Sequence, residues 1–273
     1  SFFLIPFMLA IFGAMFFFMF QFLTYEKNTP IDLLNNIQSG SATKRWQSAF
    51  ELSNMLSKDK IANPRLFESK IKNLFEKSKY DDIRVRTYIA LAMGKTNNNA
   101  FGIDLLNALD DTNTIVRIAA IKSLGMLKYK DSCKRLEDII INSYDDSEKL
   151  ASIISLGMIG DSNYSNILIQ MLDYEEANLR WDSAIALLKM GNELGVPIVE
   201  KLLDRNYYNQ FPSKSDGSGL DMNEIEISLT TAIAVSGIYI DTRFKNELLF
   251  LSKNDENIKI REIALKTIEE YYK

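Results

Sequence analysis

Three stretches decide the fold: Arg86–Gly94 (RTYIALAMG), Arg117–Gly125 (RIAAIKSLG) and Lys149–Gly157 (KLASIISLG). Each opens on a cation, runs apolar at helical spacing and stops on glycine eight residues later. The steps between them are 31 and 32 residues, and a further 31 reaches Arg180. A second register keeps the same time. Leu109, Ile140, Leu172 and Leu203 end the intervening segments at steps of 31, 32 and 31. Two apolar registers in phase predict two helices per unit, stacked so that each unit buries its apolar stripe against the next. Positions four and seven after the cation carry that stripe: Ala90/Met93, Ile121/Leu124, Ile153/Leu156 and Ala184/Leu187. The closing Gly94, Gly125 and Gly157 are expected to be left-handed helix caps.

Working outward, Thr29-Pro30 predicts the start of the first helix of the stack, with threonine as N-cap and proline in the first turn. Arg45-Trp46-Gln47-Ser48-Ala49 and Arg180-Trp181-Asp182-Ser183-Ala184 share an R-W-x-S-A string, a sign of internal duplication. After Arg180 the period lapses. Gly191 comes three residues late, and Leu229–Gly237 (LTTAIAVSG) follows 49 residues after Arg180. The surplus falls in Asn206–Asn223 (NYYNQFPSKSDGSGLDMN), whose composition reads as an inserted loop. The last unit surrounds Ile260-Arg261. About seven helix pairs result, in an all-α, right-handed α-solenoid over residues 25–273.

Val85-Arg86, Val116-Arg117, Leu179-Arg180 and Ile260-Arg261 each follow an acidic turn, at Asp81-Asp82, Asp110-Asp111, Glu175-Glu176 and Asp255-Glu256. In this the chain resembles the HEAT-repeat superfamily, particularly the short bacterial HEAT-like repeats also found in phycobilin lyases. The resemblance implies that the arginines and acidic turns form a structural ladder between neighbouring units. Lys149 and Leu229 depart from the arginine.

Residues Phe2–Leu23 contain no charge and nine phenylalanines. Twenty-two residues make roughly 33 Å of helix, against a hydrocarbon core of about 30 Å. With no basic start and no small-residue cleavage site, the reading is a retained transmembrane helix over residues 1–24, not a signal peptide. Gly13 and Ala14 would let it pack closely on other membrane helices. Lys27, Lys44 and Arg45 follow the span, which favours a single-pass protein with its solenoid in the cytoplasm; a periplasmic solenoid stays open. The span followed by GSATKRWQSAFELS also looks like membrane-anchored bacterial HEAT-repeat proteins.

Net charge is −4 with both signs interspersed, which argues against a nucleic-acid surface. Histidine is absent, removing the commonest general base and zinc ligand. Cys133 is the only cysteine, so no intrachain disulfide forms, and no partner exists to activate it as a nucleophile. No phosphate-binding or hydrolase motif appears. These observations predict a non-catalytic protein without a cofactor. Tyr207, Tyr208 and Phe211 in the insert, with Trp46 and Trp181, are the candidate partner-binding residues, because aromatics dominate interface hot spots. The stretch Asp216–Asp221 lacks the alternating carboxylates of a calcium loop. The leading expectation is a membrane-tethered scaffold, an accessory subunit of a bacterial membrane complex that binds integral membrane subunits. The alternative, implied by the resemblance, is a lyase- or chaperone-like protein handling a cofactor such as a tetrapyrrole.

Overall fold

A computed structural model describes residues 4–24, 28–56, 61–211 and 220–272. After α1 (Leu4–Thr24), fourteen helices pair in chain order. The pairs are α2 (Pro30–Ser39) with α3 (Ala42–Met55), α4 (Pro64–Lys77) with α5 (Ile83–Gly94), and α6 (Gly102–Asn107) with α7 (Thr114–Leu127). Then come α8 (Cys133–Asn142) with α9 (Asp146–Ile159), and α10 (Ser165–Met171) with α11 (Ala177–Lys189). The last two are α12 (Val196–Leu202) with α13 (Met222–Ser236), and α14 (Thr242–Asn254) with α15 (Ile258–Tyr271). The second helices stack on one another as a layer, α3 to α5 to α7 to α9 to α11, and the first helices cover it on one side. The chain is an all-α solenoid of seven pairs.

Local chemistry starts the helices where the sequence places them. Thr29 and Asp32 form a reciprocal capping box on α2, with Pro30 in the first turn. Asp82, Asn113, Asp145 and Asn257 cap α5, α7, α9 and α15, each accepting from a backbone N–H two residues on.

The three motif glycines do something other than cap. Gly94, Gly125 and Gly157 lie within helices, and the left-handed positions come after them, at Asn97 (φ 54°), Lys128 (φ 52°) and Gly160 (φ 74°), with Gly191 (φ 79°) after α11. A β-carbon on Gly125 would fall 2.6 Å from the Ser155 hydroxyl, one on Gly94 2.6 Å from Ser123 Cβ, and one on Gly157 2.7 Å from Ala186 Cβ. The glycines therefore let each second helix touch the backbone of the next. Ser123 and Ser155 donate across the seam to the carbonyls of Ala90 and Ile121, both at 2.9 Å. In α11 the equivalent position is the buried Leu188, and α13 packs on α11 far more thinly than earlier neighbours pack on each other.

The core divides at that point. Leu179, Ala186 and Leu187 of α11 belong to the apolar cluster that runs back to Leu33. Trp181, Ala184, Ile185 and Leu188 belong to a second cluster reaching Tyr272. One helix thus serves both cores, its two faces turned to different halves of the stack.

The transmembrane expectation is overturned: among the described residues no helix is long and apolar enough to cross a membrane. The expectation over residues 1–24 rested on length and uncharged composition read from the sequence alone. All the described α1 side chains are exposed, and a β-carbon on Gly13 would meet nothing within 4 Å; Ala14 beside it is exposed as well. The single-pass location, the membrane-anchored resemblance, the integral membrane subunits as partners and the membrane-tethered scaffold all rested on that span and are withdrawn with it.

Candidate functional site

The cations that open the second helices are held within the stack. Arg86 meets Asp111 at 2.7 Å with both side chains about 10% exposed, donates to the Phe75 carbonyl at 2.6 Å and lies over the Phe75 ring. Arg45 pairs with Asp81, Arg117 with Glu148 at 2.5 Å, and Lys149 with the Tyr174 hydroxyl at 2.8 Å. The chain of links then stops. Arg180 donates to the carbonyls of Tyr174 and Glu175, in its own turn. Asp255, whose side chain is fully enclosed, is instead bound by Arg205, the residue immediately before the insert, at 2.7 and 2.8 Å. Arg205 supplies the cation that Leu229 lacks.

The insert enters where the links lapse. Arg205–Gln210 forms a short 3₁₀ turn that lays Tyr207, Tyr208 and Phe211 against Trp181, with ring centroids 5.2 to 6.1 Å from the indole. Trp181 and Tyr208 are buried, Tyr207 and Phe211 half-buried. The indole N–H donates to the Tyr207 hydroxyl at 3.3 Å, and Tyr208 donates to the Leu202 carbonyl at 2.9 Å. Burial pushes the Tyr208 phenol far above its usual range. These aromatics fill the gap that Leu188 opens between α11 and α13. Trp46, at the other end of the layer, is half-buried with the Arg84 guanidinium 4.6 Å over its ring. Pro212–Gly219, with Lys214 and Asp216, lie outside the described residues. Cys133 is buried, and burial pushes its thiol up to about 11.

Turned away from the first helices, the second-helix layer has a free face. Helical spacing places on it Phe50 of α3, Tyr88 and Leu91 of α5, Ile115 and Ile118 of α7, and Leu150 and Ile154 of α9. Phe50 and Tyr88 meet edge to face at 5.1 Å. Ile115 is 58% and Phe50 46% exposed, so this is accessible apolar surface. Arg84 and Lys122 rise from the same helices as accessible cations.

At the α11 end the face opens into a cavity of about 150 Å³ between α9, α11, α12 and α13. Leu150, Trp181, Ile185, Leu202 and Ile227 form apolar walls, and Asn178, Ser228 and Thr231 add polar atoms. Asp182 and Glu224 are its acids. Burial raises the Asp182 carboxyl to about 6, opposed by the more distant charge of Lys189. A larger cavity of about 410 Å³ is lined, among the described residues, by Ile61, Pro64, Phe67, Thr96–Asn99 and Phe101, none of them titratable. The sequence did not single out Asp182. The signal was the R-W-x-S-A string, in which Gln47 of the first copy is an aspartate in the second.

Comparison with known proteins agrees with the fold. Residues 69–157 match the family model for HEAT repeats. The complex of CpcE and CpcF of phycocyanin lyase from Nostoc sp. PCC7120 superposes with a TM-score of 0.63 at 19% identity, over 92% of this chain and 90% of that one. An archaeal HEAT-like repeats protein from Thermococcus onnurineus NA1 gives 0.45 at 14% identity, over 91% and 98%. No curated protein sequence matches. The likeness establishes the fold.

Proposed function

We propose that this solenoid handles a cofactor, in the manner of a lyase or chaperone subunit, receiving a flat and largely apolar ligand such as a linear tetrapyrrole on the free face of its second-helix layer. The observation that carries the reading is that face. It is a row of apolar side chains from Phe50 to Ile154, with the exposed Lys122 standing on it as a cation for a ligand carboxylate, while Arg84 nearby is held by Asp82 at 2.6 Å and lies over Trp46. A contiguous exposed apolar surface with a few charged groups marks a binding surface more often than bare solvent contact. The likeness to a phycocyanin lyase complex supports this over a plain scaffold, and a two-chain complex there supports a protein partner here. The role assigned is binding and presentation; no residue is given a bond-making step.

Titration of the protein with biliverdin, read by visible absorbance, tests the proposal. A saturable shift is expected, weakened at least tenfold by Ile118→Asp, whose side chain is half-buried on the free face. Absence of saturable binding, or equal binding by that variant with its helix content intact, would overturn the proposal.

A further inference from the structure

Asp182 has a feature the tetrapyrrole reading does not use. Its carboxylate borders a cavity, and among the described residues none of those lining it is a cation and none donates a hydrogen bond to Asp182. Thr231 spends its hydroxyl on the Ile227 carbonyl at 2.7 Å. Lys149 is held at Tyr174 and Asp146, Arg180 at its own turn and Arg205 at Asp255 and Glu256, while Lys189 on the same helix acts on Asp182 only through space, with no hydrogen bond or ion pair to it. Asp182 is half-buried, and a partly desolvated carboxylate without a hydrogen-bond donor is stabilised when a cation joins it. Electron-rich aromatic surface, here the Trp181 indole, also favours a cation over a neutral guest. A cavity of about 150 Å³ accommodates a benzene-sized molecule, so the guest has about six heavy atoms.

We propose that this cavity is a binding site for a primary ammonium group on a short alkyl chain, with Asp182 as its counter-ion, Trp181 as its aromatic wall, and Leu150, Ile185 and Leu202 around its methylenes. The chemistry is shared by free alkylamines and by a lysine side chain of a protein partner. The site stands apart from the tetrapyrrole reading, because amine binding needs no cofactor on the free face.

Charge also fixes the pH response. Glu224 on α13 is the other titratable group facing the cavity, while α9 and α12 present Leu150 and Leu202 there. Protonation of Asp182 removes its counter-charge, so affinity falls as pH drops through about 6.

The chain has two tryptophans, so a Trp46→Phe background leaves Trp181 as the sole indole reporter. Butylammonium chloride titrated at pH 7.5 is expected to change its emission saturably, while butanol at the same concentrations is not. Asp182→Asn should weaken binding at least tenfold. Ile227→Lys, an exposed position at the rim, should do likewise by offering its own ammonium, without disturbing the core. Binding of butylammonium alone assigns the site to free amines, and binding of acetyl-Gly-Lys-Gly-amide as well assigns it to a lysine of a partner; both support the proposal. Equal responses to butanol and butylammonium, or full affinity in Asp182→Asn with native helix content, would overturn it.

Discussion

At the residue scale, Asp182 carries the most consequence. Its carboxyl titrates at about 6 in the folded chain against 3.8 for the unperturbed group. The folded state therefore holds a proton that the unfolded state has already released between those values. Stability contributed by this residue is highest below about 4, falls as pH rises to about 6, and stays low above it. Asp182→Asn should accordingly raise unfolding free energy at pH 7.5, by at most about 3 kcal/mol, and change it little at pH 4. Urea unfolding at the two pH values measures this, and an equal effect at both would refute the assignment. The same residue shows what the sequence hides. Its position, two after a motif cation, looks solvent-facing, and only the absence of a close neighbour on α11 turns it into a cavity wall.

Among the elements, the seam between second helices is what makes the repeat regular. Gly125 and Ser155 meet so closely that Gly125→Ala must push α7 and α9 apart. Forced overpacking of this kind costs about 1–3 kcal/mol, and the Ser155 bond to Ile121 would be strained as well. A urea midpoint for Gly125→Ala equal to that of the parent would show that the helices are not in contact there. Periodicity located these glycines but not their job. A glycine that follows an apolar run suits both a cap and a close approach, and only the partner helix distinguishes the two. The cation links were legible for Arg45 and Arg86, which find aspartates of the acidic turns. They were not for Arg117, which finds Glu148 in the first turn of α9, nor for Asp255, whose cation is Arg205, 50 residues earlier in the chain. Pairings at that separation leave no local trace.

Over the whole molecule, the sequence disclosed a stack of seven pairs and the place where the stack changes character. That lapse proves to be structural before it is anything else: Leu188 replaces glycine, α13 stands off, and an aromatic wedge fills the space. The α1 segment was read as a span from its uncharged, phenylalanine-rich composition, whereas among the described residues no helix is long and apolar enough to cross a membrane. What remains is a solenoid whose second-helix layer presents an accessible apolar face. Hydrogen exchange with and without saturating biliverdin tests the claim made for that face most directly. The account predicts slowed exchange in α5, α7 and α9, where the apolar row lies, with α8, α10 and α14 in the first-helix layer unchanged. Protection confined to the first helices, or none at all under conditions of saturating ligand, would contradict it.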